Sequence, residues 1–204
     1  MINLFSITKL FVAFALIYFV IITGLIYLLP KVGVSGVSET RVAFSVGSFF
    51  ELLLVYIFAS GWRKIWAVFP SLNTQLFPDL NGEWNAKIYW NWNGNSGCKE
   101  GVVYIKQYFI KISVDLVTDE SESKTLMVKP FKNSESDQAS FYYMYHSESK
   151  ATSYENKKDH KGAAILHLSH DSRNIMSGNY FTDRETFGHY VFERKAGSLQ
   201  PITP

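Results

Sequence analysis

Hydrophobic and polar positions divide this chain in two. Leu10 to Leu29 is an uncharged run of twenty residues, and Val42 to Trp62 is a second run broken once by Glu51. At helical rise, twenty residues span roughly 30 Å, the thickness of a hydrocarbon core. Each run therefore predicts a transmembrane helix. Gly33, Ser35, Gly36 and Ser38 between them predict a short loop. Lipid forces the backbone to satisfy itself internally, so the two runs predict a helical hairpin. A cleaved signal peptide fits less well, because the start Met-Ile-Asn-Leu-Phe is not basic and the first run is too long.

Beyond residue 70 the period changes. Pro70 to Pro78 reads as a linker, and short β-rich runs then alternate with turn signals to the end. Strands are expected near 82–92, 101–106, 108–117, 123–131, 139–147, 162–170, 175–182 and 187–194. In the third, Ile110, Ile112, Val114 and Leu116 face one way, and Lys111, Ser113 and Asp115 the other. Asn93-Gly94 and Ser96-Gly97 mark the first hairpin loop. The polar stretch from Ser147 to Lys161 reads as a long loop with His160 solvated in it.

The expected architecture is an N-terminal two-helix transmembrane hairpin followed by an all-β domain. The hairpin occupies 1–69, with spans about 10–29 and 42–62; a linker covers 70–79, the β-domain 80–196 and a tail 197–204. Eight antiparallel strands fit a small closed barrel or a sandwich. The opening Leu80-x-Gly82-x-Trp84 favours an eight-stranded, lipocalin-like barrel. Barrels of that type carry Gly-x-Trp on the first strand, with an Arg from the last strand lying on the Trp. Arg194 is placed to make that cation–π contact and close the barrel over Trp84.

Charge refines the picture. Of 20 basic and 18 acidic residues, five and two lie in residues 1–69, which leaves 15 and 16 for the rest. A near-neutral β-domain argues against binding long nucleic acid. Lys9, Arg63 and Lys64 flank one side of the hairpin, and Lys31 and Arg41 lie in its loop. That bias favours a cytoplasmic β-domain. The single Cys98 allows no intrachain disulfide, which suits a reducing compartment. Trp62 and Trp66 fit a membrane interface. Glu51, in the middle of the second span, should face protein or water. It shares a stripe with the small residues Gly47 and Ser48. Two readings stay open: packing inside the hairpin against Tyr18 or Thr23, and a contact between protomers or a pore lining.

Gly178, Tyr180, Thr182 and Arg184 point to one face of an extended strand. A ring, a hydroxyl and a guanidinium on one face can stack a base and bind a phosphate, and Gly178 leaves a ligand room. Beyond residue 70 the arginines are Arg173, Arg184 and Arg194. Arg173 falls in a turn and Arg194 is claimed by Trp84, which makes Arg184 the leading phosphate ligand; a solvated turn is the alternative. Tyr145 and Trp90 are candidates for the same cavity. Gln107 either reads a base edge or closes a bulge. No nucleophile elbow, phosphate loop or His-Glu-x-x-His motif is present, so no catalytic residue, metal site or cofactor is expected.

Two N-terminal membrane helices, then Leu80-x-Gly82-x-Trp84, Ile105-x-Gln107, Gly178-x-Tyr180-x-Thr182-x-Arg184, Gly188 and Arg194, form a combination that resembles the two-transmembrane, β-strand-rich effectors of bacterial cyclic-oligonucleotide anti-phage systems (CBASS). The resemblance implies a barrel that binds a cyclic dinucleotide made by a partner CD-NTase synthase. It further implies self-assembly of the membrane segments, disruption of the bacterial inner membrane and abortive infection. The residues alone leave two alternatives: a membrane-tethered, lipocalin-like binder of a lipid or apolar metabolite, and an accessory membrane subunit with a solid barrel.

Overall fold

The computed structural model describes residues 7–33, 36–109, 111–133, 135–150 and 159–197. Helix α1 runs Ile7–Leu28 and α2 runs Val37–Tyr56, with a 3-10 turn at Pro30–Val32 between them. They lie antiparallel. The Tyr18 ring sits 6.1 Å from Phe50, and Phe14 meets Phe58 edge-on at 5.5 Å. Gly47 is buried because the Tyr18 phenol occupies the place of a side chain. Segments Val12–Val32 and Thr40–Val68 are long and apolar enough to cross a membrane. Their outer faces leave Phe19, Val20, Phe44, Phe49 and Leu52 exposed, an apolar surface far larger than a soluble monomer shows.

The second helix does not end at Tyr56. It continues through a π-helical turn, Ile57–Gly61, into α3, Trp62–Val68. That extension carries Trp62 and Trp66 into the base of the β-domain, where both are buried. The Trp66 indole donates to the Phe77 carbonyl at 3.0 Å and its ring meets Phe109 edge-on. These tryptophans are buried in the protein core and are not exposed to headgroups as their flanking position predicts. The Pro70–Pro78 stretch is also less slack than a linker: Ser71–Gln75 forms α4, and Phe77 and Pro78 are buried.

Eight strands follow: β1 Gly82–Trp92, β2 Asn95–Gln107, β3 Ile112–Val117, β4 Ser121–Lys132, β5 Ala139–Ser149, β6 His160–Leu168, β7 Ile175–Thr182 and β8 Phe187–Arg194. Each pairs antiparallel with the next and β8 returns to β1, closing the barrel. Closure pairs the strand edges, most loosely at the β3–β4 seam, where the ladder holds only Leu116 to Ser123 and Val117 to Glu122. The first hairpin turns on Asn93 and Gly94, both at positive φ (49° and 78°), the pairing that matches strand twist. Ser96-Gly97 is therefore strand, not loop. Gly97 lies opposite Trp90, whose indole covers its backbone. Ile112, Val114 and Leu116 point inward as their alternation predicts; Ile110 lies outside the described residues.

The end of the barrel beside α3 is closed by a polar network under a buried ring. Trp84 is fully buried, its indole donates to the Leu80 carbonyl at 3.0 Å, and the Arg194 guanidinium lies 4.6 Å above it. Arg194 donates onward to the carbonyls of Asp79 (2.7 Å) and Asn81 (3.1 Å). Asn81 and Gln107 exchange hydrogen bonds, the Gln107 amide at 2.7 Å to Asn81 Oδ1 and Asn81 Nδ2 at 3.0 Å to the Gln107 carbonyl. The Gln107 side chain accepts from the Leu80 amide at 2.7 Å and donates to the Pro78 carbonyl at 3.2 Å. Asp79 accepts from Arg63 of α3 at 2.7 Å. One chain of bonds thus links α3, the connecting segment and strands β1, β2 and β8.

Gln107→Met keeps side-chain length and removes both of its buried bonds. The Leu80 amide and Pro78 carbonyl then lose their partners, at a cost of about 2–4 kcal/mol. The urea midpoint of the full chain in detergent should fall accordingly; an unchanged midpoint would show that the network does not hold the barrel end.

Candidate ligand site at the open end of the barrel

The opposite end is built from aromatic rings facing glycines. Trp90 is paired with Gly97 on one side and Gly188 on the other, Tyr180 with Gly188, and Tyr145 with Gly162. A side chain at Gly162 would enter the Tyr145 phenol, and one at Gly188 would meet the Tyr89 carbonyl and the Tyr180 ring. Glycine lets each ring lie flat across its neighbouring strand. The rings then contact one another. Tyr180 stacks on Tyr190 at 4.2 Å, Tyr143 on Tyr145 at 5.1 Å, and the Tyr190 hydroxyl donates to the Tyr145 hydroxyl at 2.9 Å.

This stack fills the barrel. Tyr143, Tyr145, Tyr180 and Tyr190 are all buried, and Tyr143 donates to the Val114 carbonyl at 2.8 Å. Burial pushes the Tyr145 phenol up to about 12, and those of Tyr143, Tyr180 and Tyr190 up as well, so all four stay neutral. Neutral rings bring no charge into the interior; the Tyr143 and Tyr190 hydroxyls donate and the Tyr145 hydroxyl accepts. The four rings occupy interior space that a lipocalin-type ligand would use.

Charge enters at the rim. Arg184 follows β7 in the β7–β8 turn, where the Thr182 hydroxyl accepts from the Arg184 and Thr186 amides, each at 3.3 Å. Arg184 Nη2 is buried and has no hydrogen-bond partner among the described residues. His160 stands nearby, its ring edge-on to Tyr145 at 6.3 Å. Burial first, and then the Arg184 charge, holds the His160 imidazole below its usual pKa. His160 is therefore a half-buried part of the rim on β6, not a solvated loop residue as its polar surroundings suggest. Trp90 Nε1 is likewise buried and unpartnered. A buried donor without an acceptor is costly. Such donors occur at both ends of the barrel, Arg184 Nη2 and Trp90 Nε1 at the rim and Trp62 Nε1 and Arg194 Nε at the closed end. Those at the rim are available to an acceptor-rich ligand there.

The sequence candidates separate clearly. Arg184, Thr182, Tyr180, Tyr145 and Trp90 converge on the open end. Gln107 does not: it lies at the closed end, and both ends of its side-chain amide are engaged. It holds the connecting segment and is not free to read a base. Gly178 is also reassigned, because the Ile165 carbonyl fills the space that a side chain would take. A cavity of about 720 Å³ opens on the outer surface beside β1 and β8, bordered by Trp90, Tyr180 and Gly188 together with Tyr89, Phe187 and His189. That volume suits a drug-sized ligand. Gly162 and His160 were missed in the sequence. A glycine inside an otherwise regular strand was the available signal for the first; nothing local marked the second.

A family model described as the Cap15 cyclic dinucleotide receptor domain matches residues 75–194. The chain belongs to that family. The model describes a receptor domain rather than an enzyme, and its limits enclose the whole barrel together with the end of the connecting segment. A similar curated protein, CD-NTase-associated protein 15 from Staphylococcus schleiferi, is 28% identical over 127 residues, covering 62% of this chain. The match spans 64% of that relative's length.

Gly162→Ala should displace the Tyr145 ring. Overpacking of this kind destabilises by about 1–3 kcal/mol. The expected result is a lower melting temperature with altered near-UV circular dichroism from the stacked tyrosines. Unchanged spectra would contradict the ring-over-glycine packing.

Proposed function

We propose that this chain is a membrane effector of a bacterial cyclic-oligonucleotide anti-phage system, with its barrel as the receptor for a cyclic dinucleotide. The observation that carries the reading is the buried, unpartnered Arg184 Nη2 at a rim of neutral aromatic rings, in a chain of the cyclic dinucleotide receptor family. A cyclic dinucleotide brings two phosphates and two bases. Arg184 supplies a charge-assisted partner for a phosphate, and Trp90, half-buried at the rim, supplies stacking surface, worth about 1–3 kcal/mol per base. Tyr145 and Tyr180 are buried in the stack behind the rim and would meet a base only once uncovered. Thr182 fixes the turn that carries Arg184. The ligand would come from a CD-NTase synthase, the enzyme class in the name of the Staphylococcus schleiferi relative.

Output runs through the hairpin. α1 and α2 anchor the chain in the inner membrane, with the β-domain in the cytoplasm. Glu51 and Ser48 lie on the exposed side of α2, whereas Gly47 is turned inward against Tyr18. A carboxylate facing lipid is costly, and association of hairpins through the Glu51 face would remove it from lipid. In this reading ligand binding favours that assembly, which disrupts the membrane and kills the infected cell.

Four outcomes test the reading. Against a panel of cyclic dinucleotides, one member at 100 times its dissociation constant should stabilise the full chain by about 2.7 kcal/mol. Arg184→Ala should abolish the resulting melting shift, and persistence of the full shift would remove Arg184 from the site. Binding should tighten as pH falls through the histidine range. The free His160 resists protonation and a bound phosphate favours it, so protons are taken up with ligand. His160→Gln should flatten that dependence in a titration from pH 8 to 5.5. Finally, Glu51→Leu should lose ligand-triggered toxicity in cells while binding is retained; full toxicity would exclude the Glu51 face from assembly.

A further inference from the structure

The turn between β2 and β3 has an unusual composition for a turn. It is closed by the Tyr108 amide donating to the Lys111 carbonyl at 2.7 Å. Turns favour Gly, Pro, Asn, Asp and Ser, yet this one carries Tyr108 and Phe109 between Lys106 and Lys111. Phe109 is buried, but Tyr108 is 48% exposed, and both lysines are exposed. An aromatic turn flanked by lysines has the composition of a membrane-interface element.

Depth gives the second observation. Phe109 lies 5.1 Å from Phe58, and Phe58 lies 5.5 Å from Phe14 of α1. Phe14 falls inside the apolar segment Val12–Val32. It is also five residues past Lys9, the last charge before the apolar run, or about 7–8 Å deeper along a helix axis. The β2–β3 turn thus touches the hairpin at the level where its hydrocarbon span begins. Arg63–Asp79 and the Trp62 and Trp66 packing fix the barrel to the helix at that level.

We propose that the β2–β3 turn is a membrane-contact element, with Tyr108 in the headgroup layer and Lys106 and Lys111 facing lipid phosphates. The barrel then rests on the bilayer by its closed end, and its ligand rim points away from the membrane. This rests on reading α1 and α2 as membrane-spanning.

The test uses the full chain with Cys98→Ser, since Cys98 is its single cysteine. Single cysteines are introduced by Tyr108→Cys, Lys111→Cys, Asn93→Cys in the turn at the far end, and Phe19→Cys in the first span. Each is labelled with an environment-sensitive nitrobenzoxadiazole dye and reconstituted into phosphatidylcholine–phosphatidylglycerol vesicles carrying a shallow spin-labelled lipid. The proposal expects emission to be lost at 108 and 111 and kept at 93. Emission kept at 108 and 111 while it is lost at 19 would overturn the contact and leave the anchor intact. Emission kept at 19 as well would overturn the anchor and the proposal with it.

Discussion

The Arg194 guanidinium above Trp84 is the interaction on which the remaining geometry depends. A barrel must be sealed at its ends or its core meets water, and here one residue both covers the buried indole and donates to two carbonyls of the segment entering β1. That segment is held on its other side by Gln107 and Asn81, and through Asp79 it grips Arg63 of the membrane-proximal helix. Loss of any of these groups would leave buried amides or carbonyls unpaired, which costs more than the bonds themselves contribute. The seal therefore does two things at once: it closes the core and joins the barrel to the hairpin.

Polarity of the molecule follows from that joint. With one end spent on closure, the other carries the proposed site. Its rings are packed in pairs across glycines, and in the proposed reading recognition falls to the rim and to the outer cavity beside β1 and β8. A solid barrel has a mechanical advantage for a receptor. Close-packed interiors transmit displacement instead of absorbing it, and β8 runs from the rim at Phe187 to the seal at Arg194 within eight residues.

Much of this was legible from periodicity. The two apolar runs, the eight strands and the convergence of Tyr180, Thr182 and Arg184 all follow from local spacing, because a hairpin-connected barrel keeps sequence neighbours adjacent in space. The resemblance to CBASS effectors led to the receptor family that the domain match supports. What periodicity could not convey were the contacts between distant segments. Trp62 and Trp66 have the flanking position of interface anchors, and only the docking of α3 under the barrel buries them. Gln107 looks like any polar residue at a strand end until the connecting segment folds back onto it. His160 sits in a polar stretch, and its burial depends on Tyr145, fifteen residues earlier on the adjacent strand. Ser96-Gly97 has the composition of a loop, but Gly97 serves the Trp90 ring.

The central claim is that a cyclic dinucleotide engages the open end of the barrel. Photo-crosslinking tests it most directly: a cyclic dinucleotide with a photoreactive base is irradiated with the full chain, and the adducts are mapped by mass spectrometry. Adducts are expected on peptides that carry Trp90, Tyr145 or Tyr180 and Arg184, suppressed by unlabelled ligand. Specific adducts confined to the closed end, on peptides around Phe77 to Gly82 or Gln107 to Lys111, would contradict it.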